Sequence, residues 1–430
     1  MPAAILLHCT QPGAEYSCSR THTAATSSGE TTMPTAPLTL GIEEEYQIID
    51  PATRELTSYV QEMMGLGRVV LGDQLKQEFM RSQIEVGSQI CRNVKEARQE
   101  LIRLRRTVTQ VAEEHGHKIV AASTHPFSRW QDQDISEGAR YDDLANEMRD
   151  AARRLLIFGM HVHLGFGQTP EAFELMIDVL NQLRYFLPHL LALTTSSPFW
   201  LGRDTGLKSY RSLVFENMPR SGIPPHFSGY AEYAHYVTLM GKVGSLSRRA
   251  DTAKPTGSAS GIGDPTRIWW DARPHPNLGT LEVRICDICT HVDDAVAIAA
   301  LIQALAAKLI QLRNQNQSWR IYRGIFIEEN KWRAVRYGLD GKLIDFGIAA
   351  EVPMRFLTEE LLTLVDDVVD SLNSRAEIAH IRTILERGTS ADRQVRVYQR
   401  ALHEGAAPQE ALNAVVDHLI AETSAGWAQL

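Results

Sequence analysis

Three adjacent glutamates, Glu43, Glu44 and Glu45, lie in a segment that otherwise has the composition of a β-strand. Side chains alternate along a strand, so Glu43 and Glu45 share one face and Glu44 points the other way. Two carboxylates on one face repel each other unless a cation lies between them, and Mg²⁺, which prefers oxygen ligands, is a natural partner. A solvated edge strand whose charges deter aggregation explains the same residues. The alternation also predicts that Glu44→Gln is tolerated far better than substitution of either neighbour.

A second pair of carboxylates, Glu78 and Glu85, lies seven residues apart. The two converge on one site if the chain is extended around Glu85 and bends near Glu78. Two surface glutamates are the commoner explanation, because most glutamates are exposed.

His161 and His163 lie in another segment with the pattern of a strand, so both imidazoles are predicted to share one face. Neutral imidazole binds metals and donates to phosphate oxygens. Histidines that satisfy their hydrogen bonds within the fold are commoner. A zinc site closed by another His, Asp or Cys also stays open.

The segment 281–287 alternates in the same way and places Glu282, Arg284 and Cys286 on one predicted face. A carboxylate and a guanidinium two residues apart can hold a cation and a phosphate side by side. A cross-strand surface ion pair is the alternative. Cys286 and Cys289 form a single Cys-x-x-Cys, which favours two buried thiols over a zinc or redox centre.

Basic side chains recur in the predicted loops, where arginine suits bidentate capture of carboxylate or phosphate. Any one of them can equally be structural. The chain has no Walker-type phosphate loop and no Gly-x-Ser-x-Gly elbow. The basic candidates are Arg203, Lys208, Arg211, Arg273, Lys331, Arg333 and Arg336.

The elements that must position these groups alternate irregularly. Periodicity predicts helices over 94–115, 232–239 and 293–315, and one that begins at Pro170 with Thr169 as its N-cap. Strands are predicted over 117–123, 160–165 and 281–287, long loops over 196–267, and helix from about 354 to 420. The sequence therefore predicts an α+β fold, a largely antiparallel sheet with helices packed on it.

Composition limits the class of protein. Of 430 residues, 44% are hydrophobic and 22% charged, as in an ordinary globular protein, and the net charge of −8 argues against nucleic acid as a partner. No apolar run approaches the ~20 residues of a membrane span. Five cysteines favour a reducing cytosol over a disulfide framework. Residues 1–37, rich in Thr, Ser, Ala and Pro, are predicted to be a disordered tail with Met33 as a candidate start, and residues 38–430 a catalytic domain.

Taken in order, these motifs resemble the glutamate–cysteine ligase type 2 family of bacterial carboxylate–amine ligases. The resemblance rests on the acidic strand, the pair Glu78 and Glu85, Thr-His-Pro-Phe at 124–127, Gly-Met-His-Val-His at 159–163 and Glu-Val-Arg-Ile-Cys-Asp at 282–287. The runs 197–206 and 329–334 also resemble that family, and the likeness covers nearly everything from residue 38 onward.

The resemblance implies a fold similar to the glutamine synthetase catalytic domain, in which an antiparallel sheet forms a funnel. ATP would enter at one end and the amino acids at the other, with two or three Mg²⁺ ions between them. Glu43 and Glu45 would each bind one ion. Glu78 and Glu85 would accompany Glu43, and His161 and Glu282 would accompany Glu45. Arg284 would contact the transferred γ-phosphate, and Arg211, Arg273, Lys331 and Arg333 would complete the ATP site.

The implied reaction converts the γ-carboxyl of glutamate into an acyl phosphate, which an amine then attacks. Cysteine is the favoured amine, and a different acceptor with only weak glutamate–cysteine activity stays open. So do a phosphotransferase similar to guanidino kinases and a metal-binding structural protein without turnover. The sequence leaves monomer and homodimer open.

Overall fold

The structure is a computed structural model that describes residues 38–246 and 263–427. The predicted tail at 1–37, with Met33, lies outside the described residues. The strands are β1 (Thr39–Ile49), β2 (Leu75–Gln77), β3 (Gln83–Gly87), β4 (Lys118–Val120), β5 (Met160–Gly165), β6 (Phe199–Trp200), β7 (Arg203–Asp204), β8 (Ser221–Gly222), β9 (Trp269–Trp270), β10 (Ala272–His275), β11 (Thr280–Val283), β12 (Lys342–Asp345) and β13 (Ala350–Pro353).

The helices separate into those that alternate with the strands and a helical C-terminal region. The first group comprises α1 (Val60–Leu71), α2 (Val94–Glu113), α3 (Ala139–Met148), α4 (Asp150–Arg153), α5 (Pro170–Leu183), α6 (Leu187–Thr194), α7 (Tyr210–Phe215), α8 (Tyr230–Lys242), α9 (Val292–Asn314) and α10 (Gly324–Tyr337). The second comprises α11 (Met354–Val365), α12 (Arg375–Arg387), α13 (Ser390–His403) and α14 (Pro408–Thr423).

A seven-stranded antiparallel sheet organises the molecule, in the order β10-β11-β5-β1-β3-β2, with β4 also paired to β1. The long strand β1 lies in the middle, with β3 on one side and β5 followed by β4 on the other. Three two-stranded pairs, β6–β7, β8–β9 and β12–β13, lie outside it. The predicted α+β class is confirmed.

Several predicted elements are found with shifted ends. The helix predicted over 94–115 is α2, whose N-cap Asn93 accepts from the amides of Lys95 and Glu96 at 3.0 Å. Thr169 caps α5 through the amide of Ala172, as predicted. The strand predicted over 281–287 ends at Val283. It stops there because the next two amides turn away from the sheet and both donate to the carbonyl of Asp271.

Helix α9 is the one described segment long and apolar enough to cross a membrane by length and composition. The sequence reasoning did not anticipate such a segment. In the fold, 72% of its most apolar stretch is buried, and it packs against α2, α5 and α12.

Candidate active site

A cavity of about 720 Å³ brings together most of the side chains predicted from the sequence. Those that line it are Glu43, Glu45, Glu78, Glu85, His161, Glu282, Arg211, Arg273 and Arg284. Because β1 has neighbours on both sides, the alternative of a charged edge strand is wrong. Glu43 and Glu45 reach the cavity, and Glu44 lies fully buried away from it.

The first cluster consists of Glu43, His161 and Glu282, whose potential ligand atoms all lie within 4.8 Å of one another. Glu43 and His161 lie directly opposite each other on β1 and β5. His161 Nδ1 is 3.4 Å from Glu43 Oε2 and 3.7 Å from Glu282 Oε1. His163 Nε2 lies 3.5 Å from the same Glu43 oxygen, so both imidazoles point to one face as predicted.

The second cluster consists of Glu45, Glu85 and the same His161. Glu45 and Glu85 lie opposite each other on β1 and β3. Glu78, at the bend that follows β2, is close enough to form a hydrogen bond with Glu85. The convergence of Glu78 and Glu85 therefore holds in the structure.

The structure divides these residues between clusters differently from the expectation. Glu282 and His161 group with Glu43, whereas Glu85 and Glu78 lie beside Glu45. The reason is strand register, since β1 presents Glu43 to β5 and Glu45 to β3. Register between distant strands is not visible in the alternation of one strand.

The second cluster concentrates negative charge. Burial, with Glu85 as the next cause, raises the pKa of Glu45 to about 7. Burial and the Glu45 carboxylate raise the pKa of Glu78 to about 7, and burial raises the pKa of Glu85 well above its ordinary value. Adjacent buried carboxyls with raised pKa values mark a place that a divalent cation would stabilise.

The first cluster has the opposite character. Burial opposes ionisation of Glu43 and Glu282, yet the pKa of each is held well below its ordinary value. Hydrogen bonds from His161 and His163 outweigh burial for Glu43, and the guanidiniums of Arg273 and Arg284 do so for Glu282. Burial and the charge of Arg284 lower the pKa of His161 to about 3, so its imidazole is neutral at pH 7, as a metal ligand must be.

Lys76, which the sequence reasoning missed, links the two clusters. Its ammonium donates to Glu43 Oε1 at 2.7 Å and to Glu85 Oε1 at 2.8 Å. An isolated lysine on a three-residue strand carries no sequence signal. Only the register that sets Lys76 opposite Glu85 brings it here.

Arg284 lies at the edge of the first cluster. It forms an ion pair with Glu282, and its terminal nitrogen is 3.4 Å from His161 Nδ1. Its backbone amide donates to the carbonyl of Asp271 at 2.8 Å, which fixes where the side chain begins. Its buried Nε has no hydrogen-bond partner among the described residues. Part of this guanidinium therefore remains available to an anionic ligand in the cavity.

Arg211 and Arg273 line the cavity but are largely engaged with the protein. Arg273 donates from Nε to Glu282 at 2.7 Å and from a terminal nitrogen to the carbonyls of Thr266 and Ile268. Arg211 donates to the carbonyl of Arg284 at 3.1 Å.

Gly159 is required beside Arg211. Its amide donates to Glu45 Oε2 at 2.6 Å, and a Cβ at this position would lie 2.5 Å from the Arg211 guanidinium. A side chain at residue 159 would therefore displace the guanidinium next to Glu45.

Lys331 and Arg333 are corrections to the predicted ATP site, because the structure does not bring either to this cavity. Lys331 is buried and paired with Asp271 at 2.8 Å. Arg333 is paired with Glu329 at 2.9 Å and Glu351 at 2.7 Å. Both charges are already neutralised by neighbours that spacing along the chain does not reveal.

The two cysteines of the Cys-x-x-Cys are buried free thiols, as predicted. Burial raises the pKa of Cys286 to about 12. Cys286 follows the end of β11 rather than lying on it, so the predicted shared face with Glu282 is wrong for this residue.

The donor set fits a hard divalent cation. Within the described residues, each cluster that could hold a metal combines carboxylates with one imidazole, and neither includes a thiolate. Oxygen-rich sets of this kind suit Mg²⁺, whereas structural zinc sites are built mainly from Cys and His. The buried carboxylates with raised pKa values give the cation an electrostatic role.

Relatives of known family resemble this chain along most of its length. A protein of Herpetosiphon aurantiacus, provisionally named glutamate–cysteine ligase 2, is 51% identical over 393 residues, which cover 91% of this chain and 95% of that protein. One of Roseiflexus castenholzii with the same provisional name is 49% identical over 393 residues, or 91% of this chain and 96% of that protein.

Two solved structures share the fold. Glutamate–cysteine ligase from Francisella tularensis in complex with AMP has a TM-score of 0.59 at 13% identity, covering 91% of this chain and 93% of that one. A bifunctional glutathione synthetase from Pasteurella multocida has a TM-score of 0.56 at 14% identity, covering 90% and 52%. At these identities the likeness supports the fold alone.

The family assignment rests on the sequence. The model of glutamate–cysteine ligase family 2 (GCS2) matches residues 39–418. That span contains every strand of the seven-stranded sheet and both carboxylate clusters. The chain therefore belongs to glutamate–cysteine ligase family 2.

Proposed function

We propose that this protein is an ATP-dependent carboxylate–amine ligase that joins the γ-carboxyl of glutamate to the amine of cysteine. The products are γ-glutamylcysteine, ADP and phosphate. One observation supports this most strongly: two carboxylate clusters that share His161 meet Arg284 in a single cavity. Membership of glutamate–cysteine ligase family 2 supports the same chemistry.

The reaction needs an activated carboxyl. A free carboxylate is a poor acyl donor because its leaving group would be oxide. Phosphorylation forms a bond between a γ-carboxyl oxygen and the γ-phosphorus and breaks the bond from that phosphorus to ADP. The amine then attacks the acyl carbon, the C–N bond forms, and phosphate leaves with the former carboxyl oxygen.

We assign Mg²⁺ to the two clusters. One ion would be held by Glu43, His161 and Glu282, and a second by Glu45, Glu78 and Glu85. When bound, Mg²⁺ supplies positive charge at the β- and γ-phosphate oxygens. Arg284 contributes a fixed positive charge to the transferring phosphoryl group, an arrangement that costs no reorganisation during the reaction. Glu282 and the Asp271 carbonyl hold Arg284 in that orientation.

We further propose that the protein works in the cytoplasm, where ATP is available. Cys91, Cys286 and Cys289 are free thiols within the described part of the chain. Free thiols are typical of a reducing compartment.

An assay of ADP release tests the function. Purified protein is given Mg-ATP, glutamate and a panel of amines that includes cysteine, and products are identified by mass. We expect steady ADP release only with an amine present, together with a γ-glutamyl amide. A phosphorylated product released without any amine would identify a phosphotransferase, and the absence of a γ-glutamyl amide with every amine would refute the glutamate assignment.

A matched pair of arginine variants tests the assignment of Arg284. Arg284→Gln should lower kcat by about 10²–10³-fold, the usual effect of removing one transition-state donor. Arg333→Gln, which removes an arginine outside the cavity, should leave kcat unchanged. Equal effects of the two variants would contradict the role of Arg284.

A further inference from the structure

Six lysine and arginine side chains line the cavity, and four of them are paired with other groups of the protein. The four are Lys76, Arg211, Arg273 and Arg284. The remaining two, Arg68 and Arg140, form no ion pair and no side-chain hydrogen bond with any residue in 38–246 or 263–427. Their positive charges are therefore available to a ligand.

The position of Arg140 is well defined by its neighbour Tyr141. The Tyr141 hydroxyl donates to the carbonyl of Gln77, and its ring packs edge-on against Phe79 with 6.3 Å between centroids. These two contacts flank Glu78, so Arg140 is held beside that carboxylate.

The chain that leads into α3 is tied to the same place. The amide of Ser136 donates to the carbonyl of Phe79, and the amide of Arg81 donates to the carbonyl of Asp134, each at 2.9 Å. The charge of Arg140 lowers the pKa of both Glu78 and Tyr141, which agrees with this proximity.

Arg140 and Arg284 lie at opposite ends of the cavity. Arg284 follows β11 and Glu78 follows β2, and the sheet order places β5, β1 and β3 between those two strands. Four strand spacings of about 4.8 Å correspond to about 19 Å along the curved sheet. An anion bound by Arg140 is therefore distinct from the phosphoryl group assigned to Arg284.

We propose that Arg140 binds the α-carboxylate of an amino-acid substrate at the Glu78 end of the cavity. This inference rests on the proposed function, in which both glutamate and cysteine carry an α-carboxylate. The guanidinium fork matches a carboxylate with two parallel hydrogen bonds. The reacting end of the same substrate then extends toward the metal clusters and Arg284.

The test removes the two partners separately. Arg140→Gln is compared with wild type on glutamate and on 4-aminobutyrate, which is glutamate without its α-carboxylate. The same comparison is made with cysteine and cysteamine. Arg140→Lys keeps the charge without the fork, and Arg153→Gln, an exposed arginine that does not line the cavity, is the matched control.

We expect Arg140→Gln to raise the KM of glutamate or of cysteine by about ten- to hundredfold, as expected for charge-assisted hydrogen bonds. The KM of the matching analogue without the α-carboxylate should stay within twofold, as should kcat and the KM of ATP. The substrate that responds identifies which α-carboxylate is bound. Arg140→Lys should recover part of the loss, and Arg153→Gln should match wild type.

Equal KM values for both amino acids in wild type and Arg140→Gln would overturn the inference. So would an equal rise for the analogues, or a rise confined to ATP, which would indicate a phosphate contact. Thermal stabilisation by each compound, with a non-hydrolysable ATP analogue present, provides a readout without turnover. If wild type makes no γ-glutamyl product, the proposed function fails, while stabilisation that needs both Arg140 and the α-carboxylate still supports this inference.

Discussion

Glu44→Gln is the substitution in which burial most directly opposes the expectation from the sequence. Glu44 is 0% exposed and Arg105 is 1% exposed. Arg105 donates to both Glu44 oxygens, at 2.8 and 2.5 Å, and to the carbonyls of Thr290 and Cys289. The hydroxyl of Tyr46 donates to Glu44 as well. Every hydrogen bond to this carboxylate comes from a buried donor.

Replacement by glutamine removes the charge and turns one acceptor into a donor that faces other donors. Arg105 then remains buried without its counter-charge. Loss of one partner of a buried ion pair costs about 3–5 kcal/mol, a large share of the 5–15 kcal/mol that stabilises a typical domain. The expectation that Glu44→Gln is well tolerated is therefore wrong for stability, even though Glu44 does point away from the metal clusters.

The ordering against its neighbours should even reverse in protein without metal. Burial and Glu85 raise the pKa of Glu45 to about 7, so that carboxyl is already partly protonated at neutral pH. Glu45→Gln should therefore abolish activity while leaving the stability of the metal-free protein nearly unchanged. Glu44→Gln should instead act mainly on stability.

Urea unfolding at 25 °C, followed by tryptophan fluorescence, measures the difference. Glu359→Gln is the matched control, because its ion pair with Arg382 is about half exposed and surface changes of this kind stay within about 0.5 kcal/mol. The double variant Glu44→Met/Arg105→Met should be more stable than Glu44→Gln, since no unpaired charge remains. A loss below about 1 kcal/mol for Glu44→Gln, or a double variant no better than the single one, would refute the reasoning.

Three further predictions concern the clusters. Burial raises the pKa of Glu45 and Glu78 to about 7, so between pH of about 4.5 and 7 the folded metal-free protein binds more protons than the unfolded chain, and its stability should fall as the pH rises through this window. Urea unfolding at pH 5 and 7.5 tests the sign, and Mn²⁺ affinity measured by calorimetry should rise over the same interval because the ligands must lose protons; a flat response would contradict both. Lys76→Met should tighten Mn²⁺ binding several-fold, because the ammonium competes with the metal for two carboxylates, and weaker binding would show that Lys76 assists the metal instead. Glu282→Gln should eliminate amide formation and lower stability, because it leaves two buried guanidiniums without their shared carboxylate; retained turnover would exclude Glu282 from the metal site.

The sequence predicted the chemical side chains better than their partners. Glu43, Glu45, His161 and Glu282 were found because alternation along a strand is a local property of the backbone. The helix that follows Asn93 was recognisable for the same reason, since its cap and periodicity lie within one segment. Lys331 and Arg333 were misplaced because an arginine or lysine in a loop looks alike whether it meets a ligand or a neighbouring carboxylate.

The sequence by itself determined that Glu43 and Glu45 share a face, that Glu44 does not, and which family the chain belongs to. Only the tertiary structure decided that β1 is central, and that register pairs Glu43 with β5 and Glu45 with β3. Burial against Arg105, which lies 61 residues further along the chain, was equally invisible. The physical reason is common to these cases: they depend on contacts between residues far apart in sequence, whereas alternation acts between adjacent ones.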